Sequence, residues 1–245
     1  MKKLIIVCIL ASILGCNPLP KADQAPRAIT VDSATLAITP VSLETKKKVT
    51  IKSLDLTDAN VTFLTSEVNS ESVNNVLNDF QRFNDLNDDP IYLVLDSPGG
   101  NVVDGSRIIS AEQTSKNRII AIDTGLCASM CFMILEHATE RLAVPRAILM
   151  AHPASIGMIV QGELDKAVSR LSFFKRFVDK MDYYIAARAG VSYESFKLKS
   201  NNEFWMDSFD ALDQHYLDGI VSVRLPTKSL FGLGQNKLKE DIRME

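Results

Sequence analysis

The first residue that could do chemistry is Ser129. The stretch Asp123-Thr-Gly-Leu-Cys-Ala-Ser-Met-Cys-Phe-Met-Ile-Leu135 runs from a polar, glycine-containing turn into an apolar segment, with Ser129 at the join. A serine that opens a helix lies in the positive field of the helix dipole, beside backbone N–H groups lacking an intrahelical acceptor. That setting suits a nucleophile whose product is an oxyanion. It equally suits an N-cap serine opening a core helix. Two further features bear on the choice. His152 directly follows an apolar run, and Asp96-Ser-Pro-Gly-Gly100 ends another in a pair of glycines. A hydroxyl nucleophile needs a base to take its proton, and an oxyanion needs two backbone donors. Taken singly, a Pro-Gly-Gly turn is a turn and a histidine after a strand is structural. His137 and His215 lie in helical patterns with no comparable setting and read as solvated or packing residues.

Positioning these three features falls to a βα pattern that begins at Val49. Apolar periodicity predicts a strand at Val61–Thr65 and a helix from Ser70 to Phe83, with Val73, Val76, Leu77, Phe80 and Phe83 on one face. Ile91–Leu95 is a continuous apolar run, as expected of a strand covered on both faces. A helical stretch to about Thr114 and a strand at Ile119–Ile122 follow. Leu142–Val144 and Ile148–Met150 read as short strands split by Pro145, and Glu163 to Ala187 as a long helix. Beyond it come a helix at Ser192–Lys199, a short apolar segment at Phe204–Met206, a helix at Ser208–Tyr216 and a closing strand at Ile220–Val223. Gly99-Gly100, Ser129 and His152 thus fall at the C-terminal ends of successive predicted strands, where open α/β folds build their sites.

In this order the residues resemble the proteolytic subunit of Clp protease, within the wider Clp/crotonase fold, from about Val61 to Asp218. Val61-Thr-Phe-Leu-Thr-Ser-Glu-Val68 is similar to the family's opening strand, and Leu95-Asp-Ser-Pro-Gly-Gly100 to its Asn-Ser-Pro-Gly-Gly loop. Gly125-Leu-Cys-Ala-Ser-Met130 resembles its Gly-x-Ala-Ala-Ser-Met turn. Arg141, Pro145 and Met150-Ala-His-Pro153 resemble its Arg…Pro…Met-x-His-x-Pro segment. The resemblance implies a single α/β domain of stacked ββα units with a protruding helix, for which Glu163 to Ala187 is the candidate. It implies Ser129 as nucleophile, His152 as general base, and the backbone N–H groups of Gly99 and Met130 as the oxyanion hole. No cofactor or metal is implied; the substrate would be a peptide or unfolded protein, and a homo-oligomer is expected.

Three departures accompany the match. An ungapped alignment puts Glu203 where the family has the triad aspartate, while a one-residue slip puts Asn202 there. A carboxylate also stabilises the imidazolium whereas an amide only fixes the tautomer, which favours Glu203. Cys127 and Cys131 stand in place of small residues around the nucleophile. The family's N-terminal loops for docking an ATPase ring are not recognisable. Together these keep open a weakly active or inactive relative that uses the same cleft for binding or scaffolding. Acyl-CoA chemistry, as in the crotonase branch, needs the oxyanion hole but no such serine.

The first residues, Met1-Lys-Lys-Leu-Ile-Ile-Val-Cys-Ile-Leu-Ala-Ser-Ile-Leu-Gly-Cys16, have the basic start and short apolar run of a secretory signal. Ile13-Leu-Gly-Cys16 also resembles the bacterial lipobox, in which cleavage precedes the cysteine and Cys16 carries the lipid. Asn17 would then favour a lipid-anchored protein at the outer membrane, facing the periplasm if the source is Gram-negative. Loss of Lys2 and Lys3 with the signal moves the formal charge from −3 to −5, which gives no reason to expect nucleic acid. Cys127 and Cys131 are then the remaining thiols, and an oxidising compartment favours a disulfide between them. Four residues apart on a helix they would lie one turn apart, within disulfide reach. One nearby histidine and no Cys-x-x-Cys pattern disfavour a metal site. Residues 17–48, polar with four prolines (Pro18, Pro20, Pro26, Pro40), read as a flexible tether. Residues 49–225 form the expected peptidase domain and 226–245 a charged tail.

Overall fold

Ile91–Leu95 and Ile119–Ile122 carry apolar side chains on both strand faces, so each must be covered twice. In the computed structural model, which describes residues 49–155 and 163–226, they pair in parallel at the centre of an eight-stranded sheet. The strands are β1 (Lys52–Asp55), β2 (Val61–Leu64), β3 (Ile91–Ser97), β4 (Ile119–Ala128), β5 (Glu140–Ala143), β6 (Ile148–Ala151), β7 (Phe204–Asp207) and β8 (Gly219–Arg224). The helices are α1 (Ser70–Leu86), α2 (Val102–Thr114), α3 (Met130–His137), α4 (Leu164–Arg188), α5 (Tyr193–Ser200) and α6 (Ser208–Asp213). The result is the α/β domain that the resemblance implied. The expectations for Cys16, for the tether over 17–48 and for the tail after Pro226 lie outside the described residues.

The main sheet runs β1-β8-β5-β4-β3-β2, parallel throughout. Alternate side chains of the central strands feed two cores. Leu93, Leu95, Ile119 and Ala121 pack with Val76, Phe80, Phe83 and Ile108 of the helices. Val94, Ile120 and Ile122 pack with Leu56, Val61, Leu142 and Val221 on the other face.

β4 positions the site, and it departs furthest from expectation. The predicted strand ended at Ile122, because Asp123-Thr-Gly125 carries turn chemistry; the observed one continues to Ala128. Leu95 pairs with Asp123 but Ser97 pairs with Cys127, so four steps along β4 match two along β3. This bulge is held by side chains: Thr124 Oγ1 donates to the Leu95 carbonyl (3.1 Å), Asp96 Oδ1 accepts from Leu126 N–H and Asp123 Oδ1 from Gly125 N–H (3.0 Å each). β4 then serves two partners in turn. Residues 120–123 pair with β5, and residues 126–128 pair with β6. β6 in turn pairs antiparallel with β7. The chain turns between β5 and β6 at Pro145, as the sequence suggested.

Two smaller differences have local causes. β1 was not foreseen as a strand; its partner is β8, far along the chain. α6 ends at Asp213 rather than Tyr216 because His215 takes φ 63, with Tyr216 N–H bonded to the Ala211 carbonyl and His215 N–H to that of Leu212. That is the pattern of a Schellman C-cap.

Candidate active site

The second half of β4 delivers the chain into Ser129. Its N–H donates to the Met150 carbonyl (2.8 Å), extending the β4–β6 ladder by one residue. Its backbone sits at φ 57, ψ −119, and α3 begins at the next residue. A side-chain-bearing residue held there stores about 1–3 kcal/mol that the surroundings must sustain. The hydroxyl makes no capping hydrogen bond, so capping does not explain why a serine occupies the start of α3. Ser129 is half-buried while Met130 is buried beneath it. As the first helical residue, Met130 has an N–H with no intrahelical acceptor. Its side chain fills the space opposite Gly105 of α2, where an added Cβ would lie 2.4 Å from Met130 Cγ.

Gly99 closes on this turn from the end of β3. At φ 93, a Cβ on it would stand 2.6 Å from the Ala128 carbonyl oxygen, 2.7 Å from Ser129 Cβ and 2.8 Å from Met130 N. The glycine is therefore required both by conformation and by contact. Its carbonyl accepts from Val68 N–H (2.8 Å), which staples the loop to the segment after β2. Its own N–H donates to Ser97 Oγ (3.1 Å).

His152 comes one residue after β6 and is half-buried. The register of β6 and β7 ends with Ala151 paired to Phe204, so His152 and Glu203 each lie one residue beyond that last pair. Glu203 is exposed with φ 58. Its Oε2 accepts from Trp205 Nε1 (3.1 Å). The fold thus packs Gly99 against Ser129 and Met130, and sets His152 two residues after Met150, whose carbonyl accepts from Ser129 N–H; Glu203 lies one residue before β7, the partner of β6. Two groups were missed by sequence reasoning: Ser97, which occupies the Gly99 donor, and Trp205, which occupies Glu203. Ser97 at least lay within the quoted Asp-Ser-Pro-Gly-Gly motif; nothing in the spacing pointed to Trp205.

Cys127 and Cys131 form a disulfide, with Cα atoms 5.1 Å apart and both residues fully buried. They do not share a helix: Cys127 lies in β4 and Cys131 in α3, and the tight turn at Ser129 brings them together. Nearby, burial pushes the Asp123 carboxyl up to about 7, opposed by the Gly125 N–H and reinforced by the neighbouring Asp96 carboxylate. Beyond His152, a cavity of about 480 Å³ is walled by Pro153, Ala154, the α4 residues Leu171, Phe174 and Val178, and Tyr193 and Lys197 of α5.

The Clp protease family matches residues 44–224, and the chain belongs to that family. Among its relatives, ATP-dependent Clp protease proteolytic subunit 1 of Streptomyces coelicolor is 29% identical over 138 residues, 55% of this chain and 62% of that protein. Proteolytic subunit 3 of Synechococcus sp. (strain CC9902) is 26% identical over 165 residues, 66% of this chain and 82% of that protein. Proteolytic subunit 2 of Pseudomonas aeruginosa PAO1 is 25% identical over 161 residues, 65% of this chain and 79% of that protein.

Proposed function

We propose that this protein is an envelope-located, lipid-anchored serine peptidase of the Clp type that hydrolyses peptide bonds in small peptides or unfolded chains without an ATPase partner. The observation that carries this reading is Ser129. It sits in a strained backbone conformation at the start of α3, its hydroxyl unused for capping, with Gly99 against its Cβ. Ser129 Oγ attacks the scissile carbonyl while His152 takes its proton. The N–H groups of Gly99 and Met130 receive the oxyanion, for which Gly99 exchanges its bond to Ser97 Oγ. Glu203 orients the imidazole. His152 then passes the proton to the leaving amine, and water attacks the acyl-enzyme with His152 again as base. The anchor at Cys16 and the envelope location rest on the N-terminal sequence. Exposed Leu171, Phe173 and Tyr183 on α4 support self-association.

A second reading, a binding or scaffold lipoprotein, is favoured by the bonds that hold two of these groups elsewhere: Gly99 N–H on Ser97, and Glu203 on Trp205. A fluorophosphonate probe separates the two. Purified mature protein is expected to label, Ser129→Ala to show none, and His152→Ala to label more slowly by about 100-fold or more. Absence of Ser129-dependent labelling would favour the scaffold.

A further inference from the structure

We propose that the Cys127–Cys131 disulfide is a redox gate on Ser129: bonded, the two sulfurs fit beneath the nucleophile; opened by a dithiol, they part and displace it. The inference rests on the reading of Ser129 as nucleophile. The bridge joins the second residue before Ser129 to the second residue after it, linking the end of β4 to the first turn of α3. Ser129 lies between them at φ 57, a conformation that persists only where its neighbours impose it.

The surroundings leave no slack. Both cysteines are fully buried. Cys127 is in register with Ser97, two residues before Gly99, so its position also sets that of the oxyanion loop. Gly99 is packed so closely against Ala128, Ser129 and Met130 that a single added carbon would overlap all three. Bonded sulfurs sit about 2.05 Å apart, whereas non-bonded heavy atoms approach only to about 3.5–4.0 Å. Two thiols at these positions must therefore separate by roughly 1.5 Å inside a packed core, where such changes are transmitted rather than absorbed. The residues that must yield are those holding Ser129 against Gly99. Misplacement by about 1 Å at a reacting centre costs on the order of 100-fold in rate.

The opening step balances as thiol–disulfide exchange. A thiolate of the dithiol attacks one cysteine sulfur, the Cys127–Cys131 bond breaks, and the other cysteine leaves as a thiolate and takes a proton from water. The second thiol of the reductant resolves the mixed disulfide. Two electrons pass from the dithiol, which leaves as a cyclic disulfide, to the cysteine pair, which ends as two thiols.

The test measures fluorophosphonate labelling rates of the full-length protein in three states: oxidised, reduced with dithiothreitol, and reoxidised. Thiols are counted by alkylation in denaturant and mass spectrometry. Reduction is expected to slow labelling by about 100-fold and reoxidation to restore it. A Cys127→Ala, Cys131→Ala double variant, which has no sulfurs to separate, is expected to label within a few-fold of the oxidised rate, with or without dithiothreitol. A fully reduced wild type labelling at the oxidised rate overturns the gate, as does a double variant that dithiothreitol slows equally. If even the oxidised protein fails to label, the peptidase reading is what fails. Amide hydrogen exchange over residues 97–133 then decides the positioning claim: faster exchange on reduction sustains it, and unchanged exchange overturns it.

Discussion

Glu203 has one observed partner, Trp205, and one proposed partner, His152. It lies one residue beyond the last β6–β7 pair, as His152 does, and its Oε2 is bonded to the indole N–H of Trp205, which is itself 52% exposed. A carboxylate has enough lone pairs for both. A hydrogen bond of this kind contributes on the order of 1 kcal/mol, so it biases the side chain without locking it. Trp205→Phe, which deletes only the donor and its half of the indole, is expected to raise the labelling rate at Ser129 several-fold. Glu203→Gln is expected to lower it about tenfold or more by weakening support for the imidazolium, and Asn202→Ala to leave it unchanged. Survival of Glu203→Gln with loss in Asn202→Ala would transfer the role to the amide. Gly99 admits no such nuance. Gly99→Ala meets three atoms at 2.6–2.8 Å at φ 93, and is expected to abolish labelling and lower stability by about 1–3 kcal/mol in urea denaturation. The places of Gly99, Ser129 and His152 just beyond strands were legible in the sequence, because an apolar run precedes each of them. The bonds from Gly99 to Ser97 and from Trp205 to Glu203 were not, because they are rotamer choices that no spacing encodes.

Among the elements, β3, α1, α2 and α4 were legible from periodicity, and their bounds moved little. β4 was not, because Asp123-Thr-Gly125 has the residues of a turn and is held in the strand by bonds that Thr124 and Leu126 donate to Leu95 and Asp96 on its neighbour. β1 was missed for a similar reason: its four residues are mostly exposed and acquire strand character by pairing with β8. A second long-range device joins α3 to the rest of the domain. Arg141 of β5 is buried, with Nη1 2.8 Å from Glu136 Oε2 and Nη2 2.7 Å from Asp218 Oδ1. Arg188 of α4 adds bonds to the carbonyls of Glu136, Ala138 and Thr139, satisfying the C-terminal end of α3. Arg141→Met therefore leaves Glu136 uncompensated in the core and is expected to cost about 3–5 kcal/mol. Burial already raises the Glu136 carboxyl to about 8, with Arg141 opposing. Without Arg141 it is protonated more readily still, so the cost measured by urea denaturation is expected to be smaller at pH 5 than at pH 9.

At the scale of the whole molecule, four buried carboxyls among the described residues set how stability varies with pH. Burial raises Asp123 to about 7 and Glu136 to about 8, holds Glu112 well above the usual range against the pull of Arg188, and raises Asp182 against the pull of Lys197. Glu112 has neither carboxyl oxygen bonded. Each of these groups binds its proton more tightly folded than unfolded, where carboxyls titrate near 4. Between about pH 4 and the raised value, the folded state holds protons that the unfolded state has lost, so stability falls as pH rises. Asp218 and Asp179 act with the opposite sign. Arg141 lowers the first and Lys175 the second, each outweighing burial, so their contribution is present above about pH 4 and is lost in stronger acid. The domain is therefore expected to be most stable near pH 5 and to lose stability steadily towards pH 8. Asp123 isolates one share of that slope. Each unit of its shift corresponds to about 1.4 kcal/mol, and Asp123→Asn removes the titration while keeping an oxygen for the Gly125 N–H. The variant is expected to match wild type within about 1 kcal/mol at pH 5 and to exceed it by about 2–4 kcal/mol at pH 8. Urea unfolding at half-unit steps from pH 4.5 to 8.5 makes the comparison directly, and parallel curves for the two proteins would remove Asp123 from the account.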